Sequence, residues 1–210
     1  MISTVKKADI CSYIIFCIIL KESMIPIKNK KKNLELTVEE MRNFAFNYIE
    51  KFAPSKQQLK TYLLKKYLKS KISSTKKSNI SDIIDIVIED LEKSKFINEK
   101  FYSESKAKSL IQRGSSINKI RNYLLNKGVG EKYIRNTIEK IHSNNEDQDF
   151  FSAIKICKKK RIGPSRDDAN RPLFYKKDMG VLARSGFDFE VSRRVMELEK
   201  DEYLKIINLL

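Results

Sequence analysis

The chain reads as all-α, with three tandem three-helix repeats forming an elongated, curved array. Three observations lead there. Apolar residues recur at three- and four-residue spacings in nine successive stretches. Helix-start and helix-stop residues punctuate those stretches. Segments from different parts of the chain also align on one another at nearly constant offsets.

The first helix carries Met41, Phe44, Ala45, Tyr48, Ile49 and Phe52 on one face. Thr37 with Glu40 three residues on makes a capping box at its start, and Pro54 ends it. Ser55 with Gln58 opens a second helix through Leu59, Tyr62, Leu63, Lys66 and Tyr67. Residues 70–79, SKISSTKKSN, are polar and form a loop. Ile80, Ile83, Ile84, Val87, Ile88 and Leu91 make a third stripe. Isoleucine favours strands, but the period is helical and the run is long, so the period decides. Helices are then expected at 98–113, 116–127 and 130–143, broken at Gly114-Ser115 and Gly128. After the polar linker 143–149 come a helix over 149–161, a Gly-Pro loop over 161–172, and helices over 172–185 and 188–199 separated by Gly186.

SKQQLKTYLLKK (55–66) lies on SINKIRNYLLNK (116–127) at an offset of 61, matching Ser55 to Ser116 and Tyr62-Leu63-Leu64 to Tyr123-Leu124-Leu125. YLLNKGV (123–129) lies on VLARSGF (181–187) at an offset of 58, matching Gly128 to Gly186. A glycine just past a helix supplies the left-handed residue of a C-cap, and the apolar residue after it, Val129 or Phe187, folds back on the helix it left. The resulting divisions are 37–97, 98–144 and 145–199, with an N-terminal extension over 1–36 and a C-terminal tail over 200–210. Each unit is too small to bury a core alone, so stacked units give a long surface suited to a long partner.

Charge adds to this. The net charge is +16 over 210 residues, which predicts attraction to polyanions or acidic proteins and is silent on fold. The excess is uneven: +4 over 37–97, +6 over 98–144, +7 over 151–177, and −2 over 188–210. One set of candidate contacts is Arg113, Lys119, Arg121, Lys127, Lys132 and Arg135 on the second unit, of which Arg121, Lys132 and Arg135 flank the Gly128 turn. A second is Lys158, Lys159, Lys160 and Arg161, followed by Arg166 and Arg171. Four cations in succession exceed what a helix C-terminus needs. Arg184, Arg193 and Arg194 form a third set, which converges if their two helices pack as a hairpin. Such side chains would meet phosphates or acidic protein residues without reading sequence. The competing reading of the first and third sets is a solvated helix face, and that of the second is cations favoured at a helix C-terminus. Phe101, Tyr102, Phe150, Phe151, Phe187 and Phe189 could offer stacking faces, but at helical spacing they read as core.

Catalysis finds no support in the residues. There is one histidine, His142, no cysteine cluster, and no glycine-rich loop followed by Lys-Ser or Lys-Thr. GVGEK (128–132) sits between helices, and capping explains its glycines. No metal, cofactor or catalytic residue is expected. Cys11, Cys17 and Cys157 have no zinc spacing and cannot make a disulfide framework, which fits a reducing cytoplasm. ICSYIIFCIIL (10–20) is about half the length of a bilayer span, and KESMIP follows it without a small-residue cleavage site. Met24 is therefore read as the start, with 1–23 an upstream over-translation, and no membrane partner is expected.

These residues resemble the regulatory protein RecX family, modulators of the RecA recombinase. The likeness runs over about 37–199. It rests on SKQQLKTYL, on NEKFYSES with RGSSINKIRNYLLNKGV, and on RIGPSR with VLARSGFDFEVSRRVM. The chain departs from the family at Asn98-Glu99, where Asp-Asp is usual, and at Tyr123-Leu124, where Glu-Leu is usual. The hydrophobic run before Met24 has no family counterpart. The resemblance implies a non-enzymatic, monomeric protein of tandem helical repeats, with the RecA filament as partner. It implies a place along the groove of the RecA–DNA filament and inhibition of strand exchange, ATP hydrolysis and co-protease activity, within DNA repair and the SOS response. The same charges also fit a direct, sequence-nonspecific binder of single- or double-stranded DNA, or a basic adaptor for another acidic partner.

Overall fold

The computed structural model describes residues 36–69 and 79–210. The apolar run 10–20, the Met24 start and nearly all of the polar loop 70–79 lie outside the described residues. The described residues hold ten α-helices and no strand. No helix among them is long and apolar enough to cross a membrane.

Helices α1 (Val38–Phe52), α2 (Lys56–Leu68) and α3 (Ile80–Lys93) pack on one another. Thr37 caps α1 by accepting the Glu40 amide at 3.2 Å. The α1 chain stops at Ala53 in the left-handed region, just before Pro54. The Ser55–Gln58 capping box at α2 is complete, since the Ser55 hydroxyl accepts the Gln58 amide and the Gln58 side chain accepts the Ser55 amide. Helical period prevails over strand propensity in α3, where Ile80, Ile84, Val87, Ile88 and Leu91 are buried. Each such side chain contributes roughly 1.5–3 kcal/mol by leaving water.

Helices α4 (Glu99–Gln112), α5 (Ile117–Asn126) and α6 (Glu131–Asn144) share a second core built on Tyr102, Ile120, Leu124, Val129 and Ile134. Asn98 serves as the α4 cap, its side chain accepting the Phe101 amide at 3.0 Å. A buried hydroxyl pair, Ser103 with Thr137 at 2.9 Å, joins α4 to α6.

Helices α7 (Gln148–Lys160), α8 (Arg171–Arg184), α9 (Phe189–Met196) and α10 (Lys200–Leu209) surround the third core. The stretch read as loop, 161–172, holds two short 3-10 turns, Gly163–Ser165 and Asp168–Asn170, and its last two residues begin α8. The reading of 200–210 as a tail is corrected. Asp201 and Glu202 favour a helix start, and Tyr203, Ile206 and Ile207 recur at helical spacing. That face joins the third core, with Tyr203 buried and Ile206 and Ile207 packed beside it.

Candidate functional site

Two matched joints connect the three helix groups. At the first, the Ser55 hydroxyl donates to the Lys127 carbonyl at 2.6 Å while it accepts the Gln58 amide. At the second, the Ser116 hydroxyl donates to the Ser185 carbonyl at 3.0 Å while it accepts the Lys119 amide. Each serine thus caps its own helix and clasps the end of a helix in the following group. Gly128 (φ 68) and Gly186 (φ 91) follow the clasped carbonyls, and both are left-handed. A Cβ on Gly128 would collide with the Gln57 side chain, and one on Gly186 with the Ser116 hydroxyl. Glycine is needed here both for its dihedral angle and for close approach. Asp149 strengthens the second joint by accepting the Ile117 amide at 2.8 Å. Burial of the Asp149 carboxyl raises its pKa, and the Ile117 hydrogen bond opposes that shift.

The structure sorts the candidate cations into two kinds. Arg121 pairs with Glu131, Arg135 with Glu139 at 4.0 Å, and Arg193 with Glu190 at 2.8 Å and Glu197 at 3.5 Å. Arg194 pairs with Asp147 at 3.0 Å and lies over the Phe150 ring. These pairs are exposed and add little stability, but they neutralise charge locally. Arg113, Lys119, Lys127, Lys132, Lys158, Lys159, Lys160, Arg161 and Arg184 have no carboxylate within 4 Å among the described residues. Arg184 and the Arg193–Arg194 pair have different neighbours. The Arg184 guanidinium lies back along its own helix near Gly180, while the other two are drawn to the carboxylates just named.

A different set meets at the second joint. Lys160 reaches the Ser185 hydroxyl at 3.4 Å, and Lys119 packs beside Gly186. Lys158, Lys159 and Arg161 are exposed on the same end of α7, and Arg184 directly precedes Ser185. Contacts place Lys119 and Lys160 at the joint, while Lys158, Lys159 and Arg161 share the α7 end and Arg184 the α8 end.

Arg166 and Arg171 belong to the fold instead. Arg166 grips the buried Asp178 carboxylate at 2.6 and 2.9 Å, and the Gly163 amide donates to the same group at 2.8 Å. Burial alone would raise the Asp178 pKa, but the Arg166 and Gly163 hydrogen bonds outweigh it and the net shift is downward. Arg171 donates to the Met196 and Leu198 carbonyls at 2.9 and 2.7 Å.

Among the aromatics, Tyr102 and Phe187 are buried and Phe150 and Phe151 are half-buried, while Phe101 and Phe189 are largely exposed. Cys157 is buried, and burial pushes its thiol up to about 12, which makes it a poor nucleophile. His142 is exposed at the end of α6. No group of three or more His, Cys, Asp or Glu among the described residues is placed to hold a metal ion.

Comparison with known proteins gives one consistent result. The chain is 27% identical over 174 residues to a regulatory protein RecX of Myxococcus xanthus (strain DK1622), which covers 81% of this chain and 91% of that relative. It is 25% identical over 189 residues to a regulatory protein RecX of Clostridium perfringens (strain SM101 / Type A), covering 89% of this chain and 82% of the relative. A second Clostridium perfringens RecX, from strain 13 / Type A, is 26% identical over 147 residues, covering 70% of this chain and 66% of the relative. No family profile matches the chain, and no solved structure does.

Proposed function

We propose, for a chain that belongs to the RecX family, that it binds the RecA filament and inhibits its recombinase, ATPase and co-protease activities without chemistry of its own. The observation that supports this most is the pair of matched joints. Ser55 with the Lys127 carbonyl and Gly128 is the same clasp as Ser116 with the Ser185 carbonyl and Gly186. On this reading a clasp repeated along the chain would stack the three helix groups in one relation, as a tandem array presenting a long surface to a polymer does. The unpaired cations at the second joint and on the α7 and α8 ends, Lys119, Lys158, Lys159, Lys160, Arg161 and Arg184, supply that surface with charge. Binding to one filament state, or to its growing end, shifts assembly by population alone.

The test is RecA-catalysed ATP hydrolysis on single-stranded DNA. Inhibition at amounts well below RecA stoichiometry is the expected outcome. Inhibition only when the protein can coat the DNA would instead indicate direct competition for the strand. Lys158, Lys159, Lys160 and Arg161 changed together to Ala weaken inhibition and leave far-ultraviolet circular dichroism unchanged. Full inhibition by that variant removes the α7 end from the contact surface.

A further inference from the structure

Between the first and second helix groups lies a groove of about 430 Å³ that none of the cation sets touches. Its walls include Ile49 and Ala53 at the end of α1, Lys95 and Phe96 in the α3–α4 connection, and Phe101 and Lys106 on α4. Two phenylalanine rings stand open in it. Phe101 is 68% exposed and Phe96 is 55% exposed. Helical spacing alone would assign Phe101 to the core. It points outward because α4 buries the face that carries Tyr102, Ser103 and Ala107. The Phe96 ring is held edge-on against Phe46, with centroids 4.9 Å apart.

The backbone around this groove is under strain. Only three non-glycine residues in the described chain have positive φ, and two of them, Ala53 (φ 40) and Lys95 (φ 60), line it. Residues held in such conformations gather where a site needs them. At Lys95 the relaxed choice would be glycine, yet the chain places a cation there.

Charge points to the occupant. The lining holds two lysines and no carboxylate. Nearby ion pairs involve other side chains: Lys56 with Glu92, Lys93 with Glu89, and Lys140 with Glu104. Glu99, in the first turn of α4, is turned to the Gly130 amide. Open aromatic faces beside lysines that have no carboxylate partner among the described residues, Lys106 lying over the Tyr102 ring, suit unpaired bases joined by phosphates. A duplex would keep its bases out of reach of the rings. A partner helix would find few aliphatic walls, since five of the eleven lining residues are lysine, serine or asparagine.

We propose that this groove seats single-stranded nucleic acid, with Phe96 and Phe101 as stacking faces for bases and Lys95 and Lys106 as contacts for the phosphates. The assignment is independent of the filament reading. It concerns other residues and is tested without RecA.

The experiment is fluorescence anisotropy with the full chain and a labelled oligothymidylate of about 15 nucleotides, a length that spans one such site. The comparison strand has the same length and phosphates but abasic sugars throughout. Wild-type protein binds the thymidylate strand at least about tenfold more tightly than the abasic one, as stacking of one or two bases requires. Phe96→Ala with Phe101→Ala removes that preference and leaves abasic binding unchanged. Phe101→Ala alone, which spares the Phe46 contact, lowers the preference in the same direction. Lys95→Gln with Lys106→Gln weakens both strands and flattens the salt dependence. Equal affinity of wild type for the two strands overturns the proposal, as does a preference that survives loss of both rings. Displacement of the thymidylate by an oligoglutamate peptide carrying one phenylalanine, at lower concentration than unlabelled thymidylate, overturns it in favour of an acidic protein segment.

Discussion

The first joint, at Gly128, and the second, at Gly186, share their backbone chemistry and differ in what surrounds it. Serine fits both because a single hydroxyl can accept an amide and donate to a carbonyl at once. The residue three positions after the cap differs. At the first joint it is Gln58, whose side-chain oxygen takes the Ser55 amide and the Tyr102 hydroxyl, at 3.1 and 2.9 Å. At the second it is Lys119, and Lys160 adds another cation at Ser185. The clasp therefore fixes how helix groups meet, while the residue beside it is free to be neutral or charged. One joint is bound into a polar network with Tyr102, and the other presents charge to solvent.

The sharpest way to break the comparison is to fill the glycines. Gly128→Ala and Gly186→Ala each force a left-handed residue to carry a Cβ and crowd a close contact. The expected destabilisation is about 2–5 kcal/mol at each in urea unfolding. Gly128→Ala has the larger effect, because the new methyl meets the Gln57 Cβ, which no side-chain rotation can move. At Gly186 the obstacle is the Ser116 hydroxyl, which can turn away at the loss of its clasp. Changes within about 0.5 kcal/mol, typical of open surface positions, would show that neither joint is closely packed.

Removing the serines is gentler and tests equivalence directly. Ser55→Ala and Ser116→Ala each remove a helix cap and a hydrogen bond to a carbonyl, and about 1–3 kcal/mol of stability is lost in each case. If the joints are the same device, the two losses agree to within about 0.5 kcal/mol, and the double variant loses their sum. A double variant clearly less stable than that sum would reveal coupling through α5, which carries Ser116 at its start and ends at Lys127.

The sequence made the caps and helix periods legible because both are local. Thr37 at the start of α1, Ser55 with Gln58 and the stripe from Ile80 to Leu91 all rest on neighbours within four residues. The glycines were legible only in part. Each ends its own helix, as Val129 donating to the Leu124 carbonyl shows. What fills the space above them, Gln57 and the Ser116 hydroxyl, comes from far along the chain, and the serines that clasp the preceding carbonyls stand 72 and 69 residues away. No local pattern carries that information. Charge behaved the same way. Carboxylates for Arg135 and Arg193 stand three or four residues off and could have been read. The partners of Arg121 and Arg194, 10 and 47 positions away, could not. Arg166 looked like part of a basic patch because Asp178, 12 positions on, meets it only after the chain passes through the Asp168–Asn170 turn into α8. The last helix was missed for a different reason: its Tyr203, Ile206 and Ile207 spacing was present but too short to stand out in an acidic stretch.

Arg161 is one of three exceptions to the glycine rule, with Ala53 and Lys95, and sets the smallest test. It ends α7 with φ 54 and ψ 52, and its amide donates to the Cys157 carbonyl. Helices α5 and α8 have glycine next to their last turn, with positive φ; here an exposed arginine carries the left-handed turn. The left-handed conformation costs a side-chain-bearing residue about 1–2 kcal/mol, part of which glycine would give back through its greater freedom when unfolded. Arg161→Gly is therefore expected to raise stability by about 0.5–1 kcal/mol in urea unfolding. The same change removes an unpaired cation beside the second joint, so inhibition of RecA-catalysed ATP hydrolysis should weaken. Stabilisation with weaker inhibition means the arginine serves the partner at the expense of the fold. Stabilisation with inhibition unchanged confines the contact to Lys158, Lys159 and Lys160. A loss of stability would mean that the Arg161 side chain supports the turn it strains.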